Sequence, residues 1–266
     1  MSRKHLREGV LARAIIANSG NANSCTGQRG YKDAIAMANM AAKSLGKKAD
    51  IKPEDVLVAS TGHIGRFLDV SKIKKAMPAL IRGLSGTGSE RAAKAIMTTD
   101  TKPKQVSVKV KIGSSDVVIG GIAKGAGMIH PNLATMLCFI TTDAYITRRG
   151  LRLALQTAAE TSFNAISVDG DMSTNDSVMA LANGLAKNSL IDKAGKDFAV
   201  FSQALGFVCL ELAKMIVKDG EGASKFVEIH IKNAPDIRRA VRAGKAVAAS
   251  NLLKTCVYGG DPNWGR

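Results

Sequence analysis

Long hydrophobic runs are missing from this sequence. The longest, such as residues 117–122, fall far short of the ~20 that span a bilayer. Aromatic residues make up only 4% and do not alternate with basic ones, which removes the stacking platforms of single-strand nucleic-acid binders. Blocks of like charge are also absent. The chain carries 38 Lys and Arg against 22 Asp and Glu, a formal charge of +16, but the basic residues fall in scattered pairs such as Lys74-Lys75 and Arg148-Arg149. That pattern reads as a solvated lysine-rich surface, with steering of small anionic substrates as its functional use. No nucleic-acid or membrane partner is expected.

Metal and disulfide signatures fail too. Cys25, Cys138, Cys209 and Cys256 form no CxxC pair, and His5, His63, His130 and His230 lie far apart. Cys138 and Cys209 sit in apolar stretches and read as small core residues in a reducing compartment. The phosphate loop GxxxxGK[ST], the helix-opening GxGxxG and the GxSxG elbow are missing. The acidic stretch DGDMSTND at 169–176 looks like a calcium loop, but Thr174 and Ala180 stand where an EF-hand needs Gly and Glu. It reads instead as Asx turns that tie down a loop and cap a following helix, or as support for an active site. The basic N-terminus has no signal-peptide core, and Glu8 interrupts any amphipathic presequence.

What is present points to an α/β protein. Hydrophobic residues at 45% and charged residues at 23% match a globular chain, and 266 residues fit one large domain or two unequal ones. Buried strands are predicted at 13–18 and 56–59, each running into a glycine turn, with a helix at 31–45 that stops at Gly46. Helices are predicted at 71–84 and 89–97. The alternation VSVKVKI at 106–112 predicts a half-exposed strand, joined as a hairpin to 117–122. A strand at 136–140, a helix at 151–163 and a long helix within 190–218 follow. Residues 226–231 alternate as a strand, a helix starts at Asp236, and a domain boundary is placed near 222–223.

The segment KGAGMIHPNLATMLCFITTD at 124–143 carries the chemistry. Ala134-Thr135 lies between a glycine-rich turn and a buried strand. A threonine hydroxyl is a weak nucleophile unless a base stands beside it, and an N-terminal threonine supplies its own α-amine as that base. An internal threonine reaches that state only if the bond before it is cut. By spacing alone, Thr135 reads as an ordinary threonine at the start of a strand.

That segment closely resembles the self-cleavage segment of the ArgJ family, the ornithine and glutamate N-acetyltransferases. Other motifs match in the same order: NSGNAN at 18–23, STG at 60–62, MTTD at 97–100, VDGD at 168–171, STND at 173–176, DGEGA at 219–223, and CVYG at 256–259 with DPNWGR at 261–266. The resemblance implies an α/β fold, a layered α-β-β-α sandwich of the self-processing type, with a catalytic core over 1–223 and an incomplete second α/β domain over 224–266. It implies self-cleavage between Ala134 and Thr135, with Thr135 the nucleophile and Thr61 and Gly62 the oxyanion hole. Thr98, Lys124, Thr135 and Glu221 would bind substrate, Lys124 a carboxylate and Glu221 the side-chain amine of ornithine. Acetyl would pass from N-acetylornithine to glutamate in arginine biosynthesis, with acetyl-CoA a donor in some members. No metal or organic cofactor is implied. The assembly would be a heterotetramer of two α and two β chains, cytoplasmic, or in the mitochondrial matrix of a eukaryote.

Two departures bear on this expectation. Family members extend further at both ends, so a relative that has lost turnover is one alternative; an N-terminal-nucleophile amidase or aminopeptidase is another. Ala126 replaces a common serine beside the cleavage turn, which is expected to slow self-processing.

Overall fold

The computed structural model describes residues 1–7, 10–46, 50–129, 136–171 and 173–262. By contacts the chain forms two compact units, Met1–Thr98 and Thr99–Arg266. The α/β class expected from the sequence holds in both.

The first unit is built on a βαβ crossover. Strand β1 (Ala14–Asn18) pairs in parallel with β2 (Val56–Ser60), from Ala14 opposite Val56 to Asn18 opposite Ser60. The preceding helix α1 covers Ser2–Arg7, and helix α2 (Gly27–Leu45) makes the crossover that parallel pairing requires. Ile16, Met37, Ala38, Ala41, Val56 and Met77 form the core of this unit. Helix α3 (Val70–Arg82) starts where Asp69 accepts the Ser71 and Lys72 amides, and α4 (Ser89–Ala95) follows.

The second unit is a four-stranded sheet in the order β3-β4-β5-β6. Strands β3 (Lys104–Ile112), β4 (Ser115–Lys124) and β5 (Leu137–Thr142) pair antiparallel, and β6 (Ser177–Ala182) joins β5 in parallel. Helix α5 (Arg148–Thr161) precedes β6, and helix α6 (Lys196–Lys218) buries Phe201, Leu205, Val208, Leu212 and Ile216 along one stripe. The helix comes close to the sheet at Gly121, where a Cβ would lie 2.9 Å from Leu212 and 3.2 Å from Val208. α6 is long and apolar enough to cross a membrane, but that stripe packs in the core cluster with Val117, Ile119 and Ile140. Cys138 and Cys209 lie in this core as read, and burial raises both thiols, Cys209 to about 12.

Two local expectations fail. The acidic loop caps no helix, because residues 177–182 form β6, recruited by the open edge of β5. Residues 226–231 alternate but pair with no strand among the described residues, and they lead to α7 (Ile237–Ala248) and α8 (Asn251–Gly259). Alternation supplies an apolar face, whereas a ladder also needs a partner. The helix starting at Asp236 forms as read, the Asp236 carboxylate accepting the Arg239 amide at 2.8 Å. The boundary expected near 222–223 lies inside the second unit.

Candidate active site

In the first unit the glycine turns after β1 and β2 stand side by side, at the carboxyl ends of parallel strands where α/β sheets place their ligands. The Thr61 amide donates to Asn18 O at 3.1 Å, the His63 amide to Gly20 O at 3.3 Å, and the Ala22 amide to His63 O at 2.9 Å. Asn21 ties the turns further, its Nδ2 donating to the Arg66 and Phe67 carbonyls at 3.2 and 3.1 Å. Thr61 is 2% exposed. Gly62 has φ +128, and a Cβ there would run into the backbone of Gly20 and Asn21. A backbone amide in a turn fixed this tightly is the kind of donor that can stabilise an oxyanion.

In the second unit Lys124 ends β4 and is 2% exposed. Burial pulls its ammonium below the ordinary lysine value; Asp100, Asp176 and Glu221 oppose that pull, and Lys104 adds to it. Glu221 comes to the same place: its amide donates to Ala126 O at 2.8 Å, and a Cβ on Gly127 would stand 2.6 Å from its carboxylate. A side chain at 127 would displace that carboxylate from where it stands. The arrangement offers a buried cation and an exposed carboxylate at neighbouring points, complementary to a molecule bearing both charges, such as an amino acid.

Residues 130–135 lie outside the described residues, so the expected cleavage pair Ala134 and Thr135, and His130, are not placed. Their flanks are. Asp169 accepts the Met128 and Ile129 amides at 2.6 and 2.9 Å, and the Val168 amide donates to Ile129 O at 2.7 Å. On the other flank Asp176 Oδ1 accepts the Met136 amide at 2.9 Å, and the Ser177 amide donates to Met136 O at 3.1 Å. The loop at 169–176 therefore holds the segment before residue 130 and the segment after 135. Its Asx-turn reading is half right: Asp169 also accepts the Asp171 amide, but most of its capacity serves another segment.

Burial raises the Asp176 carboxyl to about 6, against the Met136 hydrogen bond and the charge of Lys124. Asp176 Oδ2 is buried without a hydrogen-bond partner among the described residues. The folded state thus keeps a proton that the unfolded chain releases near its ordinary value of 3.8. The resulting stability is present below that value and lost as pH rises through about 6. Asp176→Asn keeps an acceptor for Met136 and removes the buried charge. Its melting temperature should match or trail the parent near about pH 4 and exceed it by about pH 7. A gap that does not change with pH in thermal melts would sink this account.

Of the other expected residues, Thr61, Gly62 and Thr98 belong to the first unit, and Lys124 and Glu221 to the second. Thr98 is exposed at the end of its unit. No group of three His, Cys, Asp or Glu side chains could hold a metal ion among the described residues. Sequence reasoning did not single out Asp100, Lys104 or the clamping roles of Asp169 and Asp176. For Lys104 a signal existed: it lies in phase with Val106, Val108 and Val110 on β3 and so faces the core side.

Both units are α/β: the first carries a tight glycine turn at the ends of parallel strands, and the second brings a buried lysine and an exposed carboxylate close together. A family model described as "ArgJ family" matches residues 1–266. The chain belongs to the ArgJ family. It is 50% identical over 266 residues to the arginine biosynthesis bifunctional protein ArgJ of Symbiobacterium thermophilum, covering 100% of this chain and 65% of that relative. It is 50% identical over 269 residues to the glutamate N-acetyltransferase of Methanocaldococcus jannaschii, again 100% and 65%. Among solved structures, an ornithine acetyltransferase from Mycobacterium tuberculosis complexed with ornithine aligns at TM-score 0.43 and 36% identity, over 50% of this chain and 68% of that one. The chain thus spans about 65% of the length of these curated relatives.

Proposed function

We propose that this chain carries the nucleophile and much of the substrate site of an N-acetyltransferase of arginine biosynthesis, moving acetyl from N-acetylornithine to glutamate. The observation that carries this reading is the meeting of buried Lys124 with Glu221, next to a loop stem held at Met128, Ile129 and Met136. Family membership and the names of the relatives support it.

In this reading the Thr135 hydroxyl first attacks the Ala134 carbonyl. The peptide nitrogen leaves as the new α-amine, and water hydrolyses the ester to free the Ala134 carboxylate. In turnover that amine takes the proton from Thr135 Oγ as the oxygen attacks the acetyl carbonyl of N-acetylornithine. Thr61 and Gly62 stabilise the oxyanion. The proton passes to the departing amine, and ornithine leaves an acetyl ester on Thr135. The amine of glutamate then attacks the ester, and the proton returns to Thr135 Oγ. Lys124 and Thr98 hold the carboxylate end of the substrate, and Glu221 its side-chain amine. Acetyl-CoA is a second donor in this reading. The core spans 1–223, with 224–266 belonging to a second α/β domain, and the mature protein is a cytoplasmic heterotetramer of two α and two β chains.

The test is to incubate the purified chain with N-acetylornithine and isotope-labelled glutamate. Labelled N-acetylglutamate, and a polypeptide beginning at Thr135 heavier by one acetyl group, are the expected results. Release of free acetate without transfer would replace this reading with the amidase one.

A further inference from the structure

We propose that Lys104 is a positioning residue that fixes Lys124 and Glu221 relative to each other. What those two residues bind rests on the acetyl-transfer reading above. Lys104 is 1% exposed at the start of β3. Its Nζ lies 2.6 Å from Asp100 Oδ1, 2.6 Å from Asp219 Oδ2 and 3.3 Å from Lys102 O. Those three acceptors use all three ammonium protons.

Each carboxylate reaches on to a segment bearing a site residue. Asp100 Oδ1 also accepts the Gly125 amide at 2.6 Å, and Gly125 follows Lys124 directly. Asp219 accepts the Thr101 amide at 3.0 Å and the Thr101 hydroxyl, and it stands two residues before Glu221. Glu221 closes the circuit through the hydrogen bond its amide donates to Ala126 O. A ring therefore runs from Lys104 through Asp100, Gly125 and Ala126 to Glu221, and back through Asp219. Burial pushes the Asp219 carboxyl up, but the hydrogen bonds from Lys104 and Thr101 and the Lys104 charge outweigh it and hold the group below its ordinary value. The carboxylate is thus held ionised on the lysine.

Without the cation, two buried carboxylates would lose the charge they share, leaving Asp100 only the more distant Lys124 to offset it, and both segments would shift. Lys104 itself is committed to these acceptors, so it acts through the placement of its neighbours. A residue of this kind changes how well substrate binds more than how fast bound substrate reacts.

The test compares Lys104→Met and Asp219→Asn with the parent chain. Asp219→Asn keeps an acceptor for Thr101 and supplies the answer if the first variant does not fold. Amide hydrogen exchange reads the ring directly. Faster exchange at Gly125 and Glu221, with Val117 and Ile119 of β4 unchanged, is expected. Where the parent transfers acetyl, KM for N-acetylornithine should rise about tenfold or more, with kcat changed far less. Unchanged exchange at Gly125 and Glu221 in a folded variant overturns the proposal, as does a fall in kcat with KM intact. If the parent transfers no acetyl, the acetyl-transfer reading falls, and the exchange measurement alone decides the positioning role.

Discussion

Replacing Thr135 with alanine is expected to leave the 266-residue chain in one piece under denaturing conditions, while the parent separates into a piece ending at Ala134 and one starting at Thr135. The variant lacks the hydroxyl that attacks the Ala134 carbonyl, so no ester forms and no α-amine is released. Acetyl transfer should fall about 10⁴-fold or more, because nucleophile and base are lost together. Thr135→Ser keeps a hydroxyl and should still be cut. Intact-mass measurement separates the outcomes. An uncut parent would remove self-processing, and with it the α-amine base. A parent and an alanine variant cut alike would assign the cut to an outside protease.

Gly62→Ala should strongly destabilise the first unit. At φ +128 an L-residue carries strain, and the added methyl meets the Gly20 and Asn21 backbone, which has no rotamer with which to move aside. Together these should cost about 3 kcal/mol or more. At ~2–4 °C per kcal/mol for a chain of this size, the melting temperature should drop by about 6–12 °C. Any surviving acetyl transfer should fall about 10²-fold, as the oxyanion role proposed for Gly62 requires. Gly206→Ala is the control, since a Cβ there meets nothing within 4 Å in the interior of α6. It should be neutral or stabilising by about 0.5–1 kcal/mol. Equal melts for the two variants would refute the close packing of the turns.

The residues that disclosed themselves in sequence did so by period or by motif. VSVKVKI alternates on its own, and β3 and β4 form the expected hairpin with Ile112 opposite Ser115 at its tip. The Asp236 cap and the Gly46 stop mark their helices as local chemistry does. Residues 177–182 read differently because Met, Ala and Leu are good helix formers, and only the edge of β5 makes them a strand. Thr61, Gly62, Lys124 and Glu221 came from a family resemblance, since no spacing rule marks them. The ring around Lys104 was invisible for a physical reason. Its members stand at 100, 104, 125, 126, 219 and 221, and although the phase of β3 turns Lys104 inward, nothing in the sequence shows which carboxylates meet it.

The pairing of β4 with β5 runs from Ile119 opposite Thr142 to Lys124 opposite Leu137, and the expected cut falls in the connection between these two strands. Cutting there would turn an internal ladder into an interface between two polypeptides. The pieces would remain zipped, since α6 of the second also packs on Gly121 of the first. Reassembly after denaturation would then be bimolecular, and the midpoint of unfolding would come to depend on protein concentration, as it does not for the uncut chain. Maturation of this kind acts as a ratchet: the chain must fold once as a single strand, and having been cut it cannot return along the same route.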